Sequence, residues 1–251
     1  MSSETDESLI TLFEDANLLA VHKPAGIPFH CDDLLQGIVQ KVRLQFESEQ
    51  LFPVHRLDKM TSGLMVFAKT QASNKAISEM LQNKTIEKYY LALSTKKPGK
   101  KQGAVAGDMV KGRRGSYLLR REKTNPAVTR FFAKALDPML NKDTELSTKE
   151  GYWLFALKPE TGKTHQLRVA LKSLASPILG DERYSGMKAD RGYLHAYKMC
   201  FDLFGQRYDI TDENFRGEAF SLTSLSESND FRLPQKLNWP KAAFKLDNKQ
   251  T

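Results

Sequence analysis

Apolar residues in this chain come mostly in short runs. Residues 9–13 and 18–22 have the look of strands, separated by the turn formers Glu14, Asp15, Ala16 and Asn17, so the chain is predicted to open on two short strands. Lys23-Pro24-Ala25-Gly26 then breaks the pattern as a loop. Leu34, Leu35, Ile38, Val39, Val42 and Phe46 recur at helical spacing, with Asp32 or Asp33 available as N-cap. Residues 64–68 form an unbroken apolar run of the buried-strand type, and Ala72, Ala76, Ile77, Met80 and Leu81 predict a second helix.

Residues 86–93 are strand-like again. Glycine and charge dominate residues 96–115, which predicts a flexible arm or a long hairpin. Two further strands are expected at 128–132 and 152–157, with a polar loop at 141–151 between them. Leu167, Ala170, Leu171 and Leu174 fall at i, i+3, i+4 and i+7, the apolar face of a helix that Thr164 can cap. A strand at 193–203 follows, and the chain after Phe231, basic and holding two prolines, is expected to be loosely ordered. Strands outnumber helices and do not alternate with them as a doubly wound parallel sheet requires. The expected fold class is therefore α+β: a single domain over residues 1–235 with a mixed, largely antiparallel β-sheet flanked by helices and loops. A basic arm or hairpin at 96–123 and a basic C-terminal tail at 236–251 complete it.

Charge sharpens this picture. The 251 residues carry a formal net charge of +8, and residues 96–123 hold ten basic side chains against Asp108 and Glu122, so the remainder is balanced. A local positive block suits a polyanion, most often nucleic acid, and equally suits a solvated lysine-rich loop. No apolar run approaches the roughly 20 residues that span a bilayer. The opening MSSETDESLI is polar and acidic rather than a secretory signal, and Cys31 and Cys200 lie far apart, so a reduced cytoplasmic setting is expected. Neither an exposed apolar heptad nor a helix pair suggests an oligomer, and a monomer is expected.

Three stretches carry candidate chemistry. In Pro53-Val54-His55-Arg56-Leu57-Asp58-Lys59-Met60-Thr61-Ser62-Gly63, polar and turn-forming residues sit directly before a buried strand. Asp58 is ionised at neutral pH and suits a nucleophile or base, although a lone loop aspartate is ordinarily a turn residue. In Glu160-Thr161-Gly162-Lys163-Thr164-His165-Gln166-Leu167-Arg168, a glycine turn feeds a helix whose arginine could fork to a carboxylate or phosphate, or simply be solvated. Tyr89 and Tyr90 point to opposite faces of one strand, so one can be core while the other lines a cleft, unless both only pack. The sequence has no GxxxxGK[ST], GxGxxG, HExxH or CxxC motif. His55, His165 and His195 share no metal-ligand spacing. A leucine between Arg56 and Asp58 excludes a kinase catalytic loop.

Together these segments resemble the RluA family of RNA pseudouridine synthases over about residues 9–203. The resemblance runs in order through five blocks. They are Lys23-Pro24-Ala25-Gly26-Ile27-Pro28; His55-Arg56-Leu57-Asp58 with Thr61-Ser62-Gly63-Leu64; Lys88-Tyr89-Tyr90-Leu91-Ala92; Thr161 to Arg168 continued by Pro177-Ile178-Leu179-Gly180-Asp181 and Tyr184; and Leu194-His195-Ala196. It implies the pseudouridine synthase fold, with an active-site cleft across the sheet, and an enzyme that isomerises a uridine in structured RNA. Asp58 would be the nucleophile, attacking either C1′ of the sugar or C6 of the base. Arg168 would pair with it, and Tyr90, rather than Tyr89, would stack on the base.

The same resemblance implies substrate contacts at Arg56, His55, Leu167, Lys163, Thr61 and Lys23. Arg56 would fill the space the flipped base vacates, and Leu167 would close the apolar wall of the pocket. No metal, nucleotide cofactor or oxidant is called for, no membrane is implied, and the partner is ribosomal RNA or, second, transfer RNA. Lys163 stands where arginine is commoner in the family, which keeps charge but loses the planar fork, and Ala170 stands where histidine is frequent. The chain starts almost directly with the catalytic region, so the basic segment, through Arg113, Arg114, Arg120 and Arg121, would supply RNA affinity in place of an N-terminal RNA-binding module. The competing reading is a non-catalytic RNA-binding or RNA-folding protein on the same scaffold, which an eroded aspartate loop would favour.

Overall fold

The strand-rich pattern folds in chain order as β1 (Thr11–Glu14), β2 (Leu18–Lys23), α1 (Ile38–Gln45), β3 (Phe52–Pro53), β4 (Ser62–Ala68), α2 (Gln71–Gln82) and β5 (Glu87–Ser94). Then come β6 (Gln102–Gly107), β7 (Met109–Lys111), β8 (Tyr117–Leu119), β9 (Ala127–Ala135), β10 (Trp153–Pro159) and α3 (Gln166–Ser173). The chain ends with β11 (Leu194–Leu203), β12 (Gln206–Thr211), α4 (Glu218–Leu222) and α5 (Asn229–Arg232). The computed structural model describes residues 8–32, 35–136, 151–222 and 229–241. Outside them fall residues 1–7, Asp33, Leu34, nearly all of the polar loop expected at 141–151, and the tail beyond Lys241. The expected α+β class holds: of the strand pairings whose register is described, all but one are antiparallel.

The chain divides into two compact units, one of residues 1–88 with 195–215, the other of 89–194 with 216–251. In the first, the strands run β1-β2-β4-β11, with β12 on β11 and β3 on β4. Every residue of β4 is buried, which is why it reads as one apolar run. Leu64, Val66 and Ala68 face Leu18, Ala20, Ile77, Met199, Phe201 and Tyr208 in the core of this unit. The parallel pairing is β4 with β11, at His195 opposite Ser62 and Ala196 opposite Gly63. Gly63 has φ +113, and a Cβ there would overlap the Ala196 main chain, so this start of β4 requires glycine.

The second unit is an antiparallel run β5-β10-β9-β6 with α3 beside it, and β7 and β8 form a separate two-stranded hairpin. Part of the expected arm is thus a regular strand: β6 pairs along its whole length with β9. The hairpin reading holds for β7 and β8.

Several boundaries differ from expectation. The first helix starts at Ile38 rather than near Leu34, with Gly37 as N-cap. The Asp32 carboxylate instead accepts from Leu35 N–H, and the N–H groups of Ile38 and Val39 go to the carbonyls of Pro28 and Phe29, which replaces a side-chain cap. Thr164 does not cap α3; His165 is the N-cap, in the left-handed region at φ 56. The chain after Phe231 is packed through residue 239, because Trp239 is buried, stacks on Tyr89 at 5.9 Å and donates to Pro234 O at 2.7 Å. β12 and α4 were not foreseen.

Candidate active site

In the first unit the loop before β4 is held from below. Lys23, at the end of β2, is fully buried, and its ammonium donates to the carbonyls of Pro24 (2.9 Å), Lys59 (3.4 Å) and Thr61 (2.8 Å). Gly26 N–H donates to the Lys59 carbonyl and Thr61 N–H to the Asp58 carbonyl, so two loops are stitched together around Asp58. Leu57 is buried, which anchors the turn, while Asp58 beside it stays half-buried. The Lys23 side chain and the Thr61 main chain therefore act as internal struts of this loop.

His55 also braces the loop against β4. Its Nε2 accepts from Val66 N–H at 3.1 Å, and desolvation together with the nearby Lys88 charge lowers its pKa to about 3. It is neutral at physiological pH and offers no positive charge to a substrate. Arg56 is exposed, with its guanidinium 5.6 Å from the Phe29 ring centroid.

A buried polar chain that the sequence reading did not find secures the start of β4. Ser62 Oγ lies 2.8 Å from His195 Nδ1, His195 Nε2 lies 2.9 Å from the Asp212 carbonyl, and the Asp212 carboxylate lies 2.6 Å from His22 Nδ1. Burial alone would raise the Asp212 pKa. The His22 hydrogen bond, the pull of both imidazoles and the Asn214 N–H outweigh it, so the carboxyl sits below its ordinary value and stays ionised. The one sequence signal for this chain was the Leu194-His195-Ala196 block, whose role had no mechanism attached.

In the second unit, successive residues of β5 separate as expected: Tyr89 is core, with the Lys158 ammonium 5.2 Å from its ring centroid, and Tyr90 is half-buried on the other face. Gln166 fixes the loop that leads into α3. Its Oε1 accepts from Thr161 Oγ1 at 2.6 Å and Lys163 N–H at 3.1 Å, and its Nε2 donates to Val128 O at 2.9 Å. Leu167 is buried, and the Lys163 ammonium reaches Asn125 Oδ1 at 3.0 Å.

Arg168 is buried and forks to Asp181, Nε to Oδ2 at 2.7 Å and Nη2 to Oδ1 at 2.8 Å, with its guanidinium 5.0 Å from the Tyr184 ring centroid. In the sequence Asp181 is one residue of a motif block; the structure gives it the role of holding Arg168. Arg113, Arg114, Arg120 and Arg121 are all exposed, on or just beyond the β7–β8 hairpin.

The fold agrees with what the chain is similar to. Residues 17–173 match the family model described as RNA pseudouridylate synthase. An RNA pseudouridine synthase of Haemophilus influenzae is 43% identical over 86% of this chain and 92% of its own length. The ribosomal large subunit pseudouridine synthase D of Borreliella burgdorferi is 31% identical over 76% of this chain and 60% of its own. Among solved structures, human RNA pseudouridylate synthase domain containing 1 superposes with a TM-score of 0.68 over 96% of this chain and all of that one, at 18% identity, and so shares the fold. The chain belongs to the RNA pseudouridine synthases of the RluA type, isomerases that turn uridine in RNA into pseudouridine.

Proposed function

We propose that Asp58 is the nucleophile of this isomerase, that Arg168 keeps it ionised and oriented, and that Tyr90 stacks on the target base. The uridine leaves its stack and Asp58 attacks C1′ or C6. The N1–C1′ bond breaks, the uracil turns, a C5–C1′ bond forms, the C5 proton is lost by way of Tyr90, and the Asp58 carboxylate is released. The observation that carries this reading is the bracing of the Asp58 turn by the buried Lys23 ammonium, which holds a half-buried carboxylate on a rigid support. The fork to Asp181 fixes the plane and direction of the Arg168 guanidinium. Leu167 and Arg56 would line the base's path.

The substrate would be ribosomal RNA ahead of transfer RNA, a choice supported by the printed names of relatives such as the Borreliella burgdorferi enzyme. The protein would act in the cytoplasm as a monomer, a reading that two free cysteines suit. Unmodified ribosomal and transfer RNA transcripts incubated with the protein test it, with carbodiimide primer extension mapping new pseudouridine. A stop in ribosomal RNA that needs Asp58 is expected. Tight binding without any stop would favour the non-catalytic RNA-binding reading.

The exposed arginines of the hairpin would grip phosphates. Replacing Arg113, Arg114, Arg120 and Arg121 with Ala should weaken RNA binding and reduce the slope of log K against log salt by about 3. Titrations at several salt concentrations read this directly, and an unchanged slope rejects the contact.

A further inference from the structure

We propose that Tyr184 is a positioning residue that ties the basic hairpin to Arg168, so that RNA held by the hairpin steadies the guanidinium; this rests on the hairpin reading above. A two-stranded hairpin is marginal by itself and needs an attachment. Here the attachment is specific. Tyr117 N–H, in β8, donates to the Tyr184 hydroxyl at 2.8 Å, and the Arg183 guanidinium donates to the Arg114 carbonyl at the hairpin tip.

Tyr184 is itself buried, and its other contacts lead to the candidate site. Having accepted from Tyr117, the hydroxyl has its own hydrogen for His165 Nδ1, 2.9 Å away. His165 is the residue before α3 and holds a left-handed backbone at φ 56 and ψ 18, a conformation that a non-glycine residue keeps only where neighbours enforce it. The face of the Tyr184 ring carries the Arg168 guanidinium, and Tyr184 N–H bonds the carbonyl of Asp181 at 3.0 Å. One short turn therefore holds both the carboxylate that forks to Arg168 and the ring on which Arg168 rests. A shift of β8 moves the hydroxyl, and with it that turn and the start of α3.

The hydroxyl is the informative atom. Phenylalanine would fill the same core space and present the same ring to Arg168, so packing alone does not call for tyrosine. The hydroxyl's bonds run to the hairpin main chain and to the residue that starts the Arg168 helix.

The test compares wild type, Tyr184→Phe, the four-arginine hairpin variant and the combination of the two. The RNA is the transcript in which wild type installs pseudouridine, labelled with tritium at uracil C5. Filter binding gives Kd, and tritium release at saturating enzyme gives a single-turnover rate independent of binding. Tyr184→Phe should leave Kd within about twofold and slow the rate about tenfold, the scale of a small misplacement at a reacting centre. In the hairpin background the same change should cost less than about twofold, because there is no engaged hairpin left to transmit. A tenfold loss in both backgrounds would show that the hydroxyl merely supports the site, and no loss in either would show that it is irrelevant. A hairpin variant that binds and turns over like wild type would remove the RNA contact as well as the coupling, which separates the two failures. Should Tyr184→Phe lower the unfolding temperature, Arg183→Gln frees the hairpin tip from the surface instead. It should slow the saturated rate while unfolding as wild type does, and an unchanged rate overturns the coupling.

Discussion

Asp58→Asn should slow single-turnover pseudouridine formation by about 10³-fold or more while RNA binding stays at its wild-type strength. The substitution is nearly isosteric, and the turn it sits in is held through the main chain, by Thr61 N–H on the Asp58 carbonyl and by Lys23 on the carbonyls that follow. On the proposed mechanism, what is lost is the anionic oxygen that attacks, and a factor of 10³ corresponds to about 4 kcal/mol of barrier. The rate is read from pseudouridine mapped at saturating enzyme, with thermal unfolding as the check on folding. A rate within tenfold of wild type would mean that another residue attacks.

The same loop shows what Lys23 and His55 contribute to it as supports. A nucleophile gains from a fixed starting position, and fixed positions come from buried partners rather than from solvated ones. Lys23 satisfies carbonyls that a tight polar turn leaves without strand partners. His55 is kept neutral by its surroundings and so can accept a backbone N–H inside the sheet. Ser62 and His195 bind the first residue of β4 to β11 at the point where glycine lets the two main chains touch.

How much of this the sequence showed depended on what each signal encodes. Strands β2, β4, β5, β10 and β11 were legible because buried strands are apolar runs, whatever they pair with. Asp58, Tyr90 and Arg168 stood out as candidates because they stand in ordered motif blocks. β12 was missed although Tyr208 and Ile210 alternate with Arg207 and Asp209, because its turn is Phe204-Gly205, with φ 52 and 80, and lacks the usual asparagine. Long-range polar partners were not legible at all. Nothing local says that Gln166 will reach Val128, that His22 will find Asp212, or that Trp239 will cover Tyr89, because these contacts exist only once the sheet has formed.

Asp181→Ala is expected to be among the most destabilising single changes in the second unit, costing about 3–5 kcal/mol by denaturant unfolding. Arg168 cannot shed its charge, and it is nearly buried, so removing its forked partner takes two charge-assisted hydrogen bonds from a cation where water is largely excluded. Activity should fall as well, because the guanidinium loses the anchor that sets its direction. The two effects separate in a double variant. Arg168→Met with Asp181→Leu replaces an ion pair by apolar groups of similar volume, a change that is often neutral for stability when both charges go together. It should therefore recover most of the lost stability and none of the activity. Recovery of both would show that Arg168 has no part in the reaction, and recovery of neither would show that the site depends on the pair for its packing as much as for its charge.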